Sequence, residues 1–138
     1  MVKQFMTRVF KRFRPEGHEL IETPQSEVAH FELRYKNLLI GTLVLDTGVW
    51  IYEYSEDFRS QFSKNDAVKP LVNFSDVTKR YESEELWPFF TARIPGLNQP
   101  QIQTIIKKEH IDSTNSVQLL KRFGKESISS PFLLEATG

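Results

Sequence analysis

The stretch from residue 29 to residue 54 constrains the fold most. Phe31, Leu33 and Tyr35 alternate with Glu32, Arg34 and Lys36. A period of two puts the rings and the leucine on one face of a strand and the charges on the other. Asn37 marks a turn, and an apolar run over 38–45 follows, interrupted by Gly41. Asp46, Thr47 and Gly48 form a second turn before a third strand over 49–54. Three successive strands joined by tight turns can only be laid down as an antiparallel meander, because parallel strands need long crossovers.

Beyond the meander the period changes. Phe58 and Phe62 are spaced i, i+4, which predicts a helical turn over 56–62. Residues 70–74 read as an edge strand, with Pro70 tolerated at its start. Pro100 suits the first turn of a helix whose apolar face is Ile102, Ile105 and Ile106, ending near His110 and Ile111. Ser113 or Thr114 is placed to cap a following helix through Val117, Leu120 and Phe123, with Gly124 as its stop. A closing β-rich segment spans 128–134, weakened by Pro131. Strands first and helices later predict an α+β fold: a small antiparallel sheet followed by a helical half, in one domain.

The charges before residue 29 are segregated. Residues 1–14 hold Lys3, Arg8, Lys11, Arg12 and Arg14 and no acid. Residues 15–28 hold Glu16, Glu19, Glu22 and Glu27 and no Lys or Arg. Val2, Phe5, Met6, Val9 and Phe13 recur at helical spacing within the basic block. One reading is a basic amphipathic helix that docks on a membrane, an acidic partner or nucleic acid. The other, which we favour because most amphipathic helices face their own core, packs that helix on its own domain. The domain layout expected is a basic amphipathic extension and linker over 1–28 and a folded domain over 29–138.

Bulk properties exclude several function classes. With 39% hydrophobic residues the chain has the material for a packed core. The 18 basic and 18 acidic residues cancel, so no global field draws it to nucleic acid, and direct nucleic-acid binding is not expected. No cysteine is present, which excludes thiol catalysis and disulfides and agrees with a cytoplasmic home. No apolar run reaches the length of a membrane span. His18, His30 and His110 stand apart from any metal-ligand spacing, and no HExxH, GxSxG, GxGxxG or Walker A pattern occurs. The acidic pairs Glu84–Glu85 and Glu56–Asp57 sit where helix dipoles favour acids. Lys107, Lys108, Lys121 and Arg122 fall on the polar faces of two helices. The expectation is a non-enzyme with no catalytic residues, no cofactor and no metal.

The most unusual stretch is ELWPFFTARIPG, residues 85–96. Leu86, Phe89, Phe90 and Ile94 follow i, i+3, i+4, i+8, one face of a helix, and are expected in the core. Trp87 lies about 100° round from Leu86, at the edge of that stripe. It also precedes Pro88, which pushes it to extended backbone at the helix entrance. Core and interface both fit it, and tryptophan is enriched among interface hot spots. Trp50, inside an alternating strand, is expected in the core.

From 29 to 134 the order of pieces resembles the N-terminal subdomain of HipA-type toxin kinases. The resembling pieces are NLLIGTL (37–43), YEYSEDF (52–58), LWPFF (86–90) with Ile94 and Pro95, and LLKRFGKESI (119–128). Three departures stand out. PLVNF (70–74) lacks the second proline of a family segment, Ser129 and Ser130 replace a usual Gly-Ala, and the basic extension lies outside the pattern. The chain ends at Gly138, before any kinase motif, so it resembles the free-standing subdomain, the small HipS-type antitoxin of three-component toxin–antitoxin systems. The resemblance implies a non-catalytic protein that binds and restrains a short HipA-type serine/threonine kinase, with a helix-turn-helix DNA-binding protein as a further partner. It also implies a tryptophan in this region that plugs the kinase active site, so the partner-binding residues expected are Glu85, Trp87, Pro88 and Arg93. The alternative function is an adaptor or assembly module of the same fold, binding another protein or a membrane surface through its N-terminal helix.

Overall fold

The structure is a computed structural model, and it describes residues 17–18, 20–64, 69–128 and 130–137. The helix expected in the basic block lies outside the described residues. Within them the chain is a single α+β domain. Strands β1 (Ala29–Tyr35), β2 (Leu38–Asp46) and β3 (Val49–Tyr54) form the expected meander. Helix α1 (Glu56–Lys64) follows, then β4 (Tyr81–Ser83), α2 (Pro88–Thr91), α3 (Pro100–Lys108), α4 (Ser116–Phe123) and β5 (Leu133–Thr137). The five strands form one antiparallel sheet in the order β4-β3-β2-β1-β5.

The alternation read from the sequence is the alternation of burial as far as Leu33; beyond the irregularity at Leu33/Arg34, Tyr35 is exposed and does not share the inward face. Ala29, Phe31 and Leu33 of β1 point inward, as do Trp50, Tyr52 and Tyr54 of β3. In β2 the register slips: Leu33 faces Gly41 but Arg34 faces Leu39. The extra residue is a β-bulge, and it lets Ile40 and Gly41 both turn inward. Gly41 has no room for a side chain, because a Cβ there would collide with the Tyr52 ring and the Glu53 carbonyl. The β2–β3 turn has two residues, Thr47 and Gly48, both at positive φ, the twist that suits a two-residue hairpin.

One core joins the sheet to the helices: Phe31, Leu33, Leu43, Leu45, Trp50 and Tyr52 with Phe58, Phe74, Phe90, Ile102, Leu119 and Leu120. Each such side chain contributes about 1.5–3 kcal/mol on burial, so strand register and helix faces are firmly specified. Pro100 opens α3 as expected, and Gly124 is the C-cap of α4.

Three local expectations are corrected. Residues 70–74 are a loop, and the fourth strand is Tyr81–Ser83. The loop's polar groups are met by side chains: the Tyr54 hydroxyl donates to Phe74 O at 2.5 Å and accepts from Leu71 N at 2.8 Å. The cap of α4 is Asn115, whose Oδ1 accepts from Val117 N and Gln118 N, while the Asp112 carboxylate holds Thr114. The closing strand starts at Leu133, because Pro131 cannot donate to a ladder, and Ile128 is fully exposed.

The described residues before β1 make contacts of their own. From Gly17 they pack on the domain. His18 is buried, its Nε2 donating to Pro95 O at 2.9 Å. Ile21 is buried, Glu22 N donates to Thr114 O, and Ser116 N donates to Glu22 O. The Trp50 indole donates to Thr23 Oγ1 at 3.0 Å, and Asn115 donates to Glu27. The indole N–H needs a partner once buried, and the segment before Ala29 supplies it.

Candidate partner-binding site

The corner at 85–96 is built by local rules. After β4 the Ser83 hydroxyl accepts from Glu85 N and donates to Glu85 O, turning the chain. Leu86 drops into the core. Trp87 is extended, with φ −66° and ψ 151°, as a residue before proline should be. Pro88 occupies the first position of α2, where its missing N–H costs nothing. The next orphan donor, Phe89 N, is satisfied by Asn73 Oδ1 at 3.0 Å.

The aromatics form a graded path from core to surface. Tyr52 stacks on Phe74 at 4.4 Å, and the Trp87 ring meets Phe74 edge-on at 5.0 Å. Phe90 is fully buried beside both Tyr52 and Phe74. Phe89 stands perpendicular to Phe90, then approaches Phe132 at 6.0 Å, and Phe132 meets Tyr35 at 5.9 Å.

Of the four expected partner-binding residues, Pro88 is exposed, and Trp87 and Glu85 are half-buried. Trp87 thus has one edge on the core and one toward the surface. Arg93 is placed differently. It is only 4% exposed, and its guanidinium turns inward to three backbone carbonyls. Nε donates to Gly124 O, and Nη2 donates to Lys125 O at 2.8 Å and to Phe132 O at 2.7 Å. These carbonyls lie at the end of α4, where a cation complements the helix dipole, and at the entry to β5. Arg93 is a brace between α2, α4 and β5. Burial pulls its pKa below the ordinary value, but a guanidinium stays charged. Phe89, expected in the core with Phe90, is half-buried and faces a groove instead.

That groove, of about 390 Å³, lies beside the corner. Pro88, Phe89, Ala92 and Arg93 form one side of its lining, Val72 and Asn73 another, and Ser127, Ser130, Pro131 and Phe132 the rest. The sequence did not single out these last two groups as site residues. They come from segments 16 to more than 40 positions away, and no spacing rule links them. The exposed apolar Val72 and the Pro131–Phe132 pair were the available signals.

Among the described residues no group of three His, Asp or Glu side chains is placed to hold a metal ion. Nor, among the described residues, is any helix long and apolar enough to cross a membrane.

No curated protein matches the chain. The family described as HipA N-terminal domain matches residues 31–128, well over half of the 138 residues. The match runs from the first strand of the meander through Trp87, α2, α4 and most of the groove's lining, and so the chain belongs to the HipA N-terminal domain family.

Proposed function

We propose that the protein is a non-catalytic binding protein of a toxin–antitoxin system, which binds a short HipA-type serine/threonine kinase in the cytoplasm and restrains it. The observation that carries this reading is the half-buried Trp87 at the mouth of α2, held extended by Pro88 and backed by Phe74. A rigid aromatic with one edge on a core and one toward solvent enters a partner's pocket with little further loss of entropy. Membership in the family supports a toxin–antitoxin-related context. The protein acts by occupation, with no phosphate loop in its sequence to hold ATP.

The test is the affinity of the purified chain for the short kinase, with and without Trp87→Ala. The hot-spot role predicts a loss of about 2 kcal/mol, roughly thirtyfold in Kd. Equal affinity of the two proteins contradicts the role assigned to Trp87. ATP turnover that persists through repurification contradicts the non-catalytic assignment.

A further inference from the structure

The groove beside Trp87 carries two features that its place in the fold does not explain. The first is apolar exposure. Val72 is 83% exposed, Ile128 109% and Tyr35 39%. Val72 lines the groove, Ile128 lies between the lining residues Ser127 and Ser130, and Tyr35 packs against the lining ring of Phe132. Among the described residues the two other large apolar side chains that are exposed, Leu20 and Val28, belong to the segment before β1. Clustered exposed apolar groups mark a surface built to be covered.

The second is the charge of Arg93. Arg93 lines the same groove, and every acceptor its buried guanidinium meets is a neutral carbonyl. Its Nη1 has no hydrogen-bond partner, and the ion pairs of the described residues are formed by Arg34, Arg80 and Arg122. A buried cation with no counter-charge gives the groove beside it a positive potential. Its complement is a carboxylate carried in on an apolar frame. A free anion has nothing to place on Val72, Pro88, Phe89, Ala92, Pro131 and Phe132, and a purely apolar peptide leaves Arg93 unmet.

We propose that this groove docks a segment of the partner protein that sets an aliphatic side chain against Phe89 and Phe132 and an Asp or Glu carboxylate beside Arg93. This rests on the kinase reading and adds a second anchor to Trp87.

Val72→Glu and Ala92→Glu test it without touching the brace, since both side chains are exposed. Each places a carboxylate in the groove, where it competes with the incoming acid. With the unfolding midpoint unchanged, both variants should lose at least tenfold in affinity for the short kinase. Affinities within twofold of the unsubstituted chain overturn the groove proposal and leave the kinase reading standing. If the unsubstituted chain itself fails to bind the kinase, the kinase reading falls, and a second arm decides the groove. The ¹⁵N-labelled full chain is titrated with an acetylated hexapeptide containing Leu-Asp and with its Leu-Asn counterpart, following the Arg93 Nε–H signal. The expected result is a shift with the Asp peptide, none with the Asn peptide, and none in Ala92→Glu. No shift overturns the proposal. An equal shift with acetate alone overturns it in favour of a free-anion site, and self-association abolished by Ala92→Glu overturns it in favour of a second copy of this chain.

Discussion

Replacing Arg93 by methionine separates a brace from a surface contact. Methionine keeps most of the apolar stem but removes three charge-assisted hydrogen bonds, to Gly124 O, Lys125 O and Phe132 O. Bonds to charged groups contribute about 1.5–3 kcal/mol each, so the gross loss is roughly 5–9 kcal/mol. Against that stands the cost of keeping a cation buried, several kcal/mol, which methionine abolishes. The difference leaves a net destabilisation of about 2–4 kcal/mol. That is a large part of the roughly 5–15 kcal/mol available to a domain, and it corresponds to a fall in Tm of about 10 °C. Lysine should recover less than half, because a point charge cannot match a planar fork aimed at three carbonyls. Denaturant unfolding followed by tryptophan fluorescence reads both variants. A methionine variant as stable as the unsubstituted chain would refute the brace, because it would mean that cation burial already cancels the three bonds.

Three further outcomes follow from the same packing. Deleting residues 1–28 should cost at least about 3 kcal/mol of unfolding free energy, through the exposure of the Ile21 pocket and loss of the Thr23 partner of Trp50; a truncated domain that unfolds like the full chain contradicts the docked segment. Phe90→Ala should cost about 3–5 kcal/mol and Trp87→Ala no more than about 2, since Phe90 is fully buried and Trp87 half-buried; equal losses in denaturant titrations would place Trp87 in the core. Burial pushes the Tyr54 hydroxyl up to about 12 from an ordinary 10.0, so its contribution is complete below pH 10 and is lost as pH rises through about 12. Unfolding free energy measured against pH should fall across that window, and less steeply in Tyr54→Phe; a profile of unchanged slope contradicts it.

What was legible in the sequence is what local periodicity controls. The alternation of Phe31, Leu33 and Tyr35 and the Thr47–Gly48 turn define the meander, because a register slip would turn the whole strand inside out. Trp87 was placed at the helix entrance by the proline after it. What was hidden depends on pairs remote in sequence. Residues 70–74 have strand-like composition, but the Tyr54 hydroxyl and the Asn73 carboxamide hold them as a loop. Arg93 follows an exposed Ala92 and precedes a buried Ile94, so either direction was open to it until carbonyls 31 to 39 positions away were brought beside it. The groove was unreadable for the same reason, its walls coming from three separate segments.

The measurement that bears most directly on the central claim is the phosphorylation activity of the short HipA-type kinase titrated with this protein. Activity should fall to a floor at one equivalent of the unsubstituted chain. Trp87→Ala, although folded, should require far higher concentrations to reach the same floor. Kinase activity that stays constant across the titration, with both proteins shown to be folded, would contradict restraint of the kinase as the protein's function.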